Sequence, residues 1–142
     1  YRENSTNGPK NILPLIQDFS SPSPAIGWGN AERSSFLERS RCDALLVLAL
    51  IHHLAINNNV PLSNIAKLLS GITKWLVIEF VPKSDSQVIR LLATRKDIFV
   101  NYTPQGFEES FSEYFSIESS ENVRDSERTL YLMKALPKAA TN

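Results

Sequence analysis

Two histidines stand side by side, His52 and His53, and the chain has no others. They close an unbroken apolar run, Ala44 to Ile51. An imidazole titrates near neutral pH, so one of the pair suits the work of a general base. Neighbouring residues project in different directions, which speaks against both gripping one metal. The plainer alternative is a packed histidine where a strand turns into a helix. Glu79 lies inside a second apolar run, KWLVIEFV. A carboxylate there needs a partner or a raised pKa. Either it faces the same pocket as the histidines, or backbone amides or Lys83 satisfy it. Lys83 and Asp85 follow on the next loop and are candidate substrate contacts, although surface positions would suit them too.

Asp18 follows a short apolar stretch and opens a loop rich in Ser and Pro. A carboxylate so placed can accept a hydrogen bond from an exocyclic amine, but Asp after a strand also serves ordinary turns. Trp28 can cover a ligand ring or seal a helix. Cys42 is the only cysteine. It can form no internal disulfide and no cysteine-based zinc site, and it reads as a packed thiol. The glycine-rich phosphate loops, the nucleophile elbow and HExxH are all absent.

These groups need elements to hold them. Asp43 to Leu48 and Lys74 to Val81 do not alternate, so they predict parallel strands buried on both faces. Leu46, Val47, Leu76, Val77 and Ile78 are the expected core. In such sheets ligands bind at the carboxyl ends of the strands, where the histidines fall. Asn11 to Gln17 predicts a strand demoted toward an edge by Pro14. Asn30 predicts a cap for a helix over 31–39. Pro61 to Leu69 has helical spacing and Gly71 after it. Capping-box spacing at Ser84 predicts a further helix, and Thr103 another to about Tyr114. Phe115 to Ser119 and Thr129 to Leu136 complete the chain as a hairpin. The order gives an α/β fold with a parallel core and one antiparallel terminal strand. Residues 1–10 read as a loose lead-in to one domain spanning 11–142.

Composition sets the outer limits. Of 142 residues, 42% are hydrophobic and 21% charged, which is ordinary for a folded domain. Fifteen basic residues balance fifteen acidic ones, so there is no general pull toward nucleic acid or anionic membrane. The longest apolar run is too short for a transmembrane helix, and no signal peptide is visible at the start. The expectation is a soluble, cytoplasmic protein. The opening Tyr1 suggests a processed or cut piece.

Several segments resemble the C-terminal portion of class I S-adenosylmethionine-dependent methyltransferases. They are ILPLIQDFSSPSPAIGW, ERSSFLERSRCDALLVLALIHHL, KWLVIEFVPKSD, FVNYTPQGFEESFSEYF and RTLYLMKAL. The likeness is strongest to a bacterial nodulation-protein-like group and covers about residues 11–136. It implies a Rossmann-like sheet of order 3-2-1-4-5-7-6, with strand 7 antiparallel. Residues 12–17, 43–48, 74–81, 115–119 and 129–136 would be its strands 3 to 7. It further implies S-adenosylmethionine as cofactor. Asp18 would reach the adenine amine, with Phe19 beside it, and Leu48 and Ala49 would line the methionine end. His52, His53 and Glu79 would be catalytic, acting on a small-molecule acceptor. The family's glycine-rich loop and ribose-gripping acid would lie upstream of Tyr1, so this chain would hold the acceptor-side part of the site. With strands 1 and 2 absent, the 43–48 strand becomes an apolar edge. A homodimer through it, or residues 11–17 displaced onto it, would cover that edge. The competing reading is a non-catalytic, methyltransferase-like piece that serves as a structural or oligomerisation unit.

Overall fold

The computed structural model describes residues 12–137. The lead-in 1–10 lies outside them. The chain falls into two compact units, divided between Phe36 and Leu37.

Up to Arg39 the sequence expectations fail in two places. Residues 12–17 form no strand. Leu13, Leu15 and Ile16 are exposed, and no ladder partner takes up the backbone. Pro14 has no N–H to offer one. The helix expected over 31–39 shrinks to one turn, α1 (Phe36–Arg39). Left-handed backbone at Gly27, Gly29 and Asn30 turns the chain instead, and Ile26 bridges to Arg33. Asn30 therefore caps nothing. Glu32 Oε1 accepts from the Trp28 N–H at 3.1 Å and holds this turn. The Trp28 ring is 91% exposed and seals no helix. Phe19 packs edge-to-face on Phe36, with ring centres 5.7 Å apart.

The second unit is a four-stranded sheet with helices. Its strands are β1 (Cys42–Val47), β2 (Thr73–Phe80), β3 (Phe115–Asn122) and β4 (Thr129–Ala135). The spatial order is β1-β2-β4-β3. β1 and β2 are parallel, with Leu45 opposite Leu76 and Val47 opposite Ile78. β4 runs antiparallel to both β2 and β3. The expected parallel pair and antiparallel terminal strand are both present. The helices are α2 (Leu62–Ser70), α3 (Ser86–Leu92) and α4 (Pro104–Ser112), with a π-helical turn at His53–Asn57. Asp85, one residue later than the spacing suggests, caps α3 by accepting from the Gln87 N–H.

Alternation along the strands fixes one core face. Leu76, Ile78 and Phe80 of β2 share it with Tyr131 and Met133 of β4, and all five are buried. α4 lays Phe107 on this face, 5.1 Å from Phe80 and 5.0 Å from Tyr131 between ring centres. Tyr102 stacks on Phe80 and donates its hydroxyl to the Val81 carbonyl at 2.9 Å. The core expectation holds for Val47, Leu76 and Ile78, while Val77 is half-buried. It fails for Leu46, which is 64% exposed. Leu46 points to the other face of β1, and β1 is the border strand of the sheet. An unbroken apolar run marks a two-faced core strand only where both faces are covered.

At the start of α4, Thr103 Oγ1 accepts from the Gly106 N–H at 3.0 Å. A Cβ on Gly106 would run into the Asn101 carbonyl oxygen. Helix propensity alone favours Ala over Gly by about 1 kcal/mol. The clash reverses that sign. Gly106→Ala should destabilise by about 1–3 kcal/mol, the usual range for overpacking. Urea denaturation gives the answer, and a gain in stability would show that the Asn101 turn yields freely.

Candidate functional site

The carboxyl end of β2 carries Glu79 on the face opposite the aromatic core. Alternation puts it there, since Ile78 and Phe80 face inward. Its burial demands donors, and it finds two. Glu79 Oε2 accepts from the Ala49 backbone N–H at 2.6 Å. Glu79 Oε1 lies 3.3 Å from Arg128 Nη1. Arg128 is the residue before β4, and Thr129 pairs with Phe80. The antiparallel return thus delivers a guanidinium beside the carboxylate. The same guanidinium donates through Nε to Asp85 Oδ2 at 2.8 Å. Asp85 Oδ1 accepts from the Gln87 N–H at 2.9 Å. One arginine therefore joins the end of β2 to the cap of α3. Its hydrogen bond holds the Asp85 carboxyl below the usual range. The two carboxylates in turn hold the Arg128 guanidinium more firmly charged.

Ala49 follows β1 and has a left-handed backbone, φ 50°. That region is disfavoured for a residue with a Cβ. The short bond to Glu79 stabilises it. The chain then winds through Leu50 into the π-helical turn, where the Leu50 carbonyl accepts from the His53 N–H at 3.0 Å. The two histidine rings sit 4.2 Å apart but in different settings. His52 is 2% exposed, and its Nδ1 has no hydrogen-bond partner in the chain. His53 is exposed. Burial pushes the His52 imidazole down to about 4, helped by His53 and Arg128 and opposed by Asp85 and Glu79. At neutral pH His52 is therefore an uncharged imidazole. The expectation of a base poised near neutrality does not fit it.

The structure gathers Glu79, Asp85, Ala49 and His52 into one charged environment. It leaves other expected residues apart. Lys83 is not the partner of Glu79. Its ammonium is bound by Asp97 at 2.7 and 2.9 Å. Leu48 is 54% exposed beyond the end of β1. Asp18 and Phe19 belong to the first unit. There Asp18 Oδ1 accepts from both the N–H and the hydroxyl of Ser20, which lowers its pKa. Cys42 is a half-buried thiol. The sequence reading missed Arg128. The signal available was the buried Glu79, which requires a cation, together with the hairpin that returns the chain to its side. Among the described residues no cluster of His, Cys, Asp and Glu could hold a metal. No helix among them is long and apolar enough to cross a membrane.

The His52 environment sets a pH dependence. The folded pKa lies near 4, below the ordinary 6.5, so the unfolded chain binds the extra proton first. Stability should therefore fall as pH drops from about 6.5 toward about 4. The depressed carboxyl of Asp85 adds its own loss only below this range, since its ordinary pKa is 3.8. Denaturation midpoints across this range should show the slope, and His52→Gln should flatten it. An equal slope in that variant would mean the proton is taken up elsewhere.

The sequence is 42% identical over 129 residues to nodulation protein NoeA of Rhizobium meliloti (strain 1021). The match takes in 91% of this chain and 27% of that protein. The chain thus spans about a quarter of the length of the curated relative it matches. No family model matches the chain. No solved structure matches it.

Proposed function

We propose that this chain is the acceptor-side part of a Rossmann-like enzyme that moves a methyl group from S-adenosylmethionine to a small molecule. One observation carries the reading. The order β1-β2-β4-β3, with β4 antiparallel between two mutually parallel strands, is the order 4-5-7-6 that the sequence resemblance implies. The buried charged cluster at the carboxyl ends of β1 and β2 adds support, because that is the edge where such sheets take ligands. If the relative's name carries over, the setting is nodulation.

The cofactor is where the fit fails for this chain alone. Of the four residues expected to hold it, Ala49 has given its N–H to Glu79, and Asp18 is bonded to Ser20. Phe19 is packed on Phe36, and the Leu48 side chain offers only carbon. What the chain offers is a wall. His52 stands behind that wall as a buried, uncharged imidazole whose unpartnered Nδ1 can take a hydrogen bond without a charge to neutralise. Glu79 acts as an orienting residue, because both its oxygens are already engaged. The acceptor side would be positioned rather than deprotonated by these groups, which is the larger part of an in-line displacement.

Calorimetry with S-adenosylhomocysteine is the direct test. The 142-residue chain should bind weakly or not at all. A form carrying the remaining length of a protein like the relative should bind saturably. No binding to the longer form would sink the methyl-transfer reading.

A second reading rests on a different observation. β1 borders the sheet, and Leu46 within it and Leu48 just past its end are 64% and 54% exposed. An apolar edge with unpaired backbone groups invites another strand. On this reading the chain is a structural unit that pairs two copies through residues 43–48. Sedimentation equilibrium at micromolar concentration should then give a dimer that Leu46→Lys dissociates. A monomer at all concentrations would remove it.

A further inference from the structure

We infer that Arg128 is the positioning residue of the carboxyl-edge site, locking the end of β2, the cap of α3 and the turn after β1 into one piece. The inference rests on the site assigned above, but its test does not depend on methyl transfer. Two carboxylates from different elements meet at one guanidinium. Its Nη1 faces Glu79 at 3.3 Å, and its Nε donates to Asp85 at 2.8 Å. Glu79 passes the constraint on, because its other oxygen holds the Ala49 N–H at 2.6 Å. Asp85 passes it on through the Gln87 N–H.

Two features make this more than a surface ion pair. All three side chains are largely shielded, with exposures of 25%, 11% and 13% for Arg128, Glu79 and Asp85. The far end of the chain of contacts is a strained residue. Ala49 sits at φ 50°, in a region favoured by glycine, and it shortly precedes His52 and the π-helical turn that His53 opens. Removing Arg128 leaves Glu79 with an unpaired charge. That carboxylate then gains by turning to water, and the Ala49 bond is what it must release. A planar fork can meet two carboxylates at once, and a lysine cannot reproduce that. Next to this lock lies His52, buried with an orphaned Nδ1. An unpartnered polar atom in so restrained a place is kept by its surroundings, not by its own bonds.

The experiment follows Ala49, which Arg128 does not touch. In Arg128→Gln, amide hydrogen exchange at Ala49 should quicken by about tenfold or more, the size expected for loss of a charged hydrogen bond. Exchange at core positions such as Ile78 should change no more than global stability requires. The His52 imidazole, followed by NMR, should take up its proton at higher pH than in the parent, because the Arg128 charge is one of the causes that lower it. Arg128→Lys should fall between the variant and the parent. Adding Ala49→Gly to Arg128→Gln should recover stability, because glycine accepts the left-handed backbone without the Glu79 bond. Where Arg128→Gln alone does not fold, the double variant and Arg128→Lys carry the same measurements. Unchanged Ala49 exchange and unchanged His52 titration in a folded variant would overturn the inference. Those outcomes are independent of S-adenosylhomocysteine binding, so either proposal can fail without the other.

Discussion

A negative charge near the end of an otherwise apolar stretch of β2 is the constraint from which the site follows. Glu79 cannot stay buried without donors, and water is largely shut out. Its two oxygens recruit a backbone amide from the end of β1 and a guanidinium from the start of β4. Those elements lie far apart in sequence. Parallel pairing of β1 with β2 supplies the first, and antiparallel pairing of β4 with β2 supplies the second. The sheet topology is thus what makes the charge tolerable.

The aromatic core does the complementary work on the opposite face. Phe80, Phe107, Tyr102 and Tyr131 pin α4 and its leading loop to β2 and β4. Tyr131 also donates its hydroxyl to Glu108 at 2.8 Å, so the contact between strand and helix is polar at its rim. Rigid aromatic packing behind β2 means that Glu79 and Arg128 on its other side have a fixed base. Precision at a site depends on such support from elements that never touch a ligand.

Much of the second unit was legible because its signals are local. The runs around Val47 and Ile78 mark strands, and the spacing of Leu62, Ile65, Ala66 and Leu69 marks α2, all four of which are buried. Thr103 and Pro104 announce α4 through cap chemistry. What was hidden depends on distant partners. Whether Leu46 is core or surface is decided by what covers the second face of β1, and the sequence of β1 cannot carry that. Arg128 is an ordinary polar-loop arginine until the hairpin register sets it beside Glu79. In the first unit, apolar residues at 12–16 resemble a strand by type, but a strand exists only where something pairs with it. The His pair was visible as a candidate, yet its division into one buried and one exposed ring follows from the π-helical turn, which has no clear mark in sequence.

That turn has a consequence for how the chain tolerates insertion and deletion. In the π-helical turn the Asn58 N–H reaches back five residues to the His53 carbonyl, at 3.1 Å. A π turn accommodates one more residue than an α turn over the same length. The segment therefore carries one residue of slack, next to the most buried histidine of the chain. Losing a residue here would tighten the turn to α geometry and leave β1 and α2 in place. It would also rotate His52 relative to Leu54 and Ile56, both of which are buried. Length as well as residue type therefore bears on how this segment carries its buried imidazole.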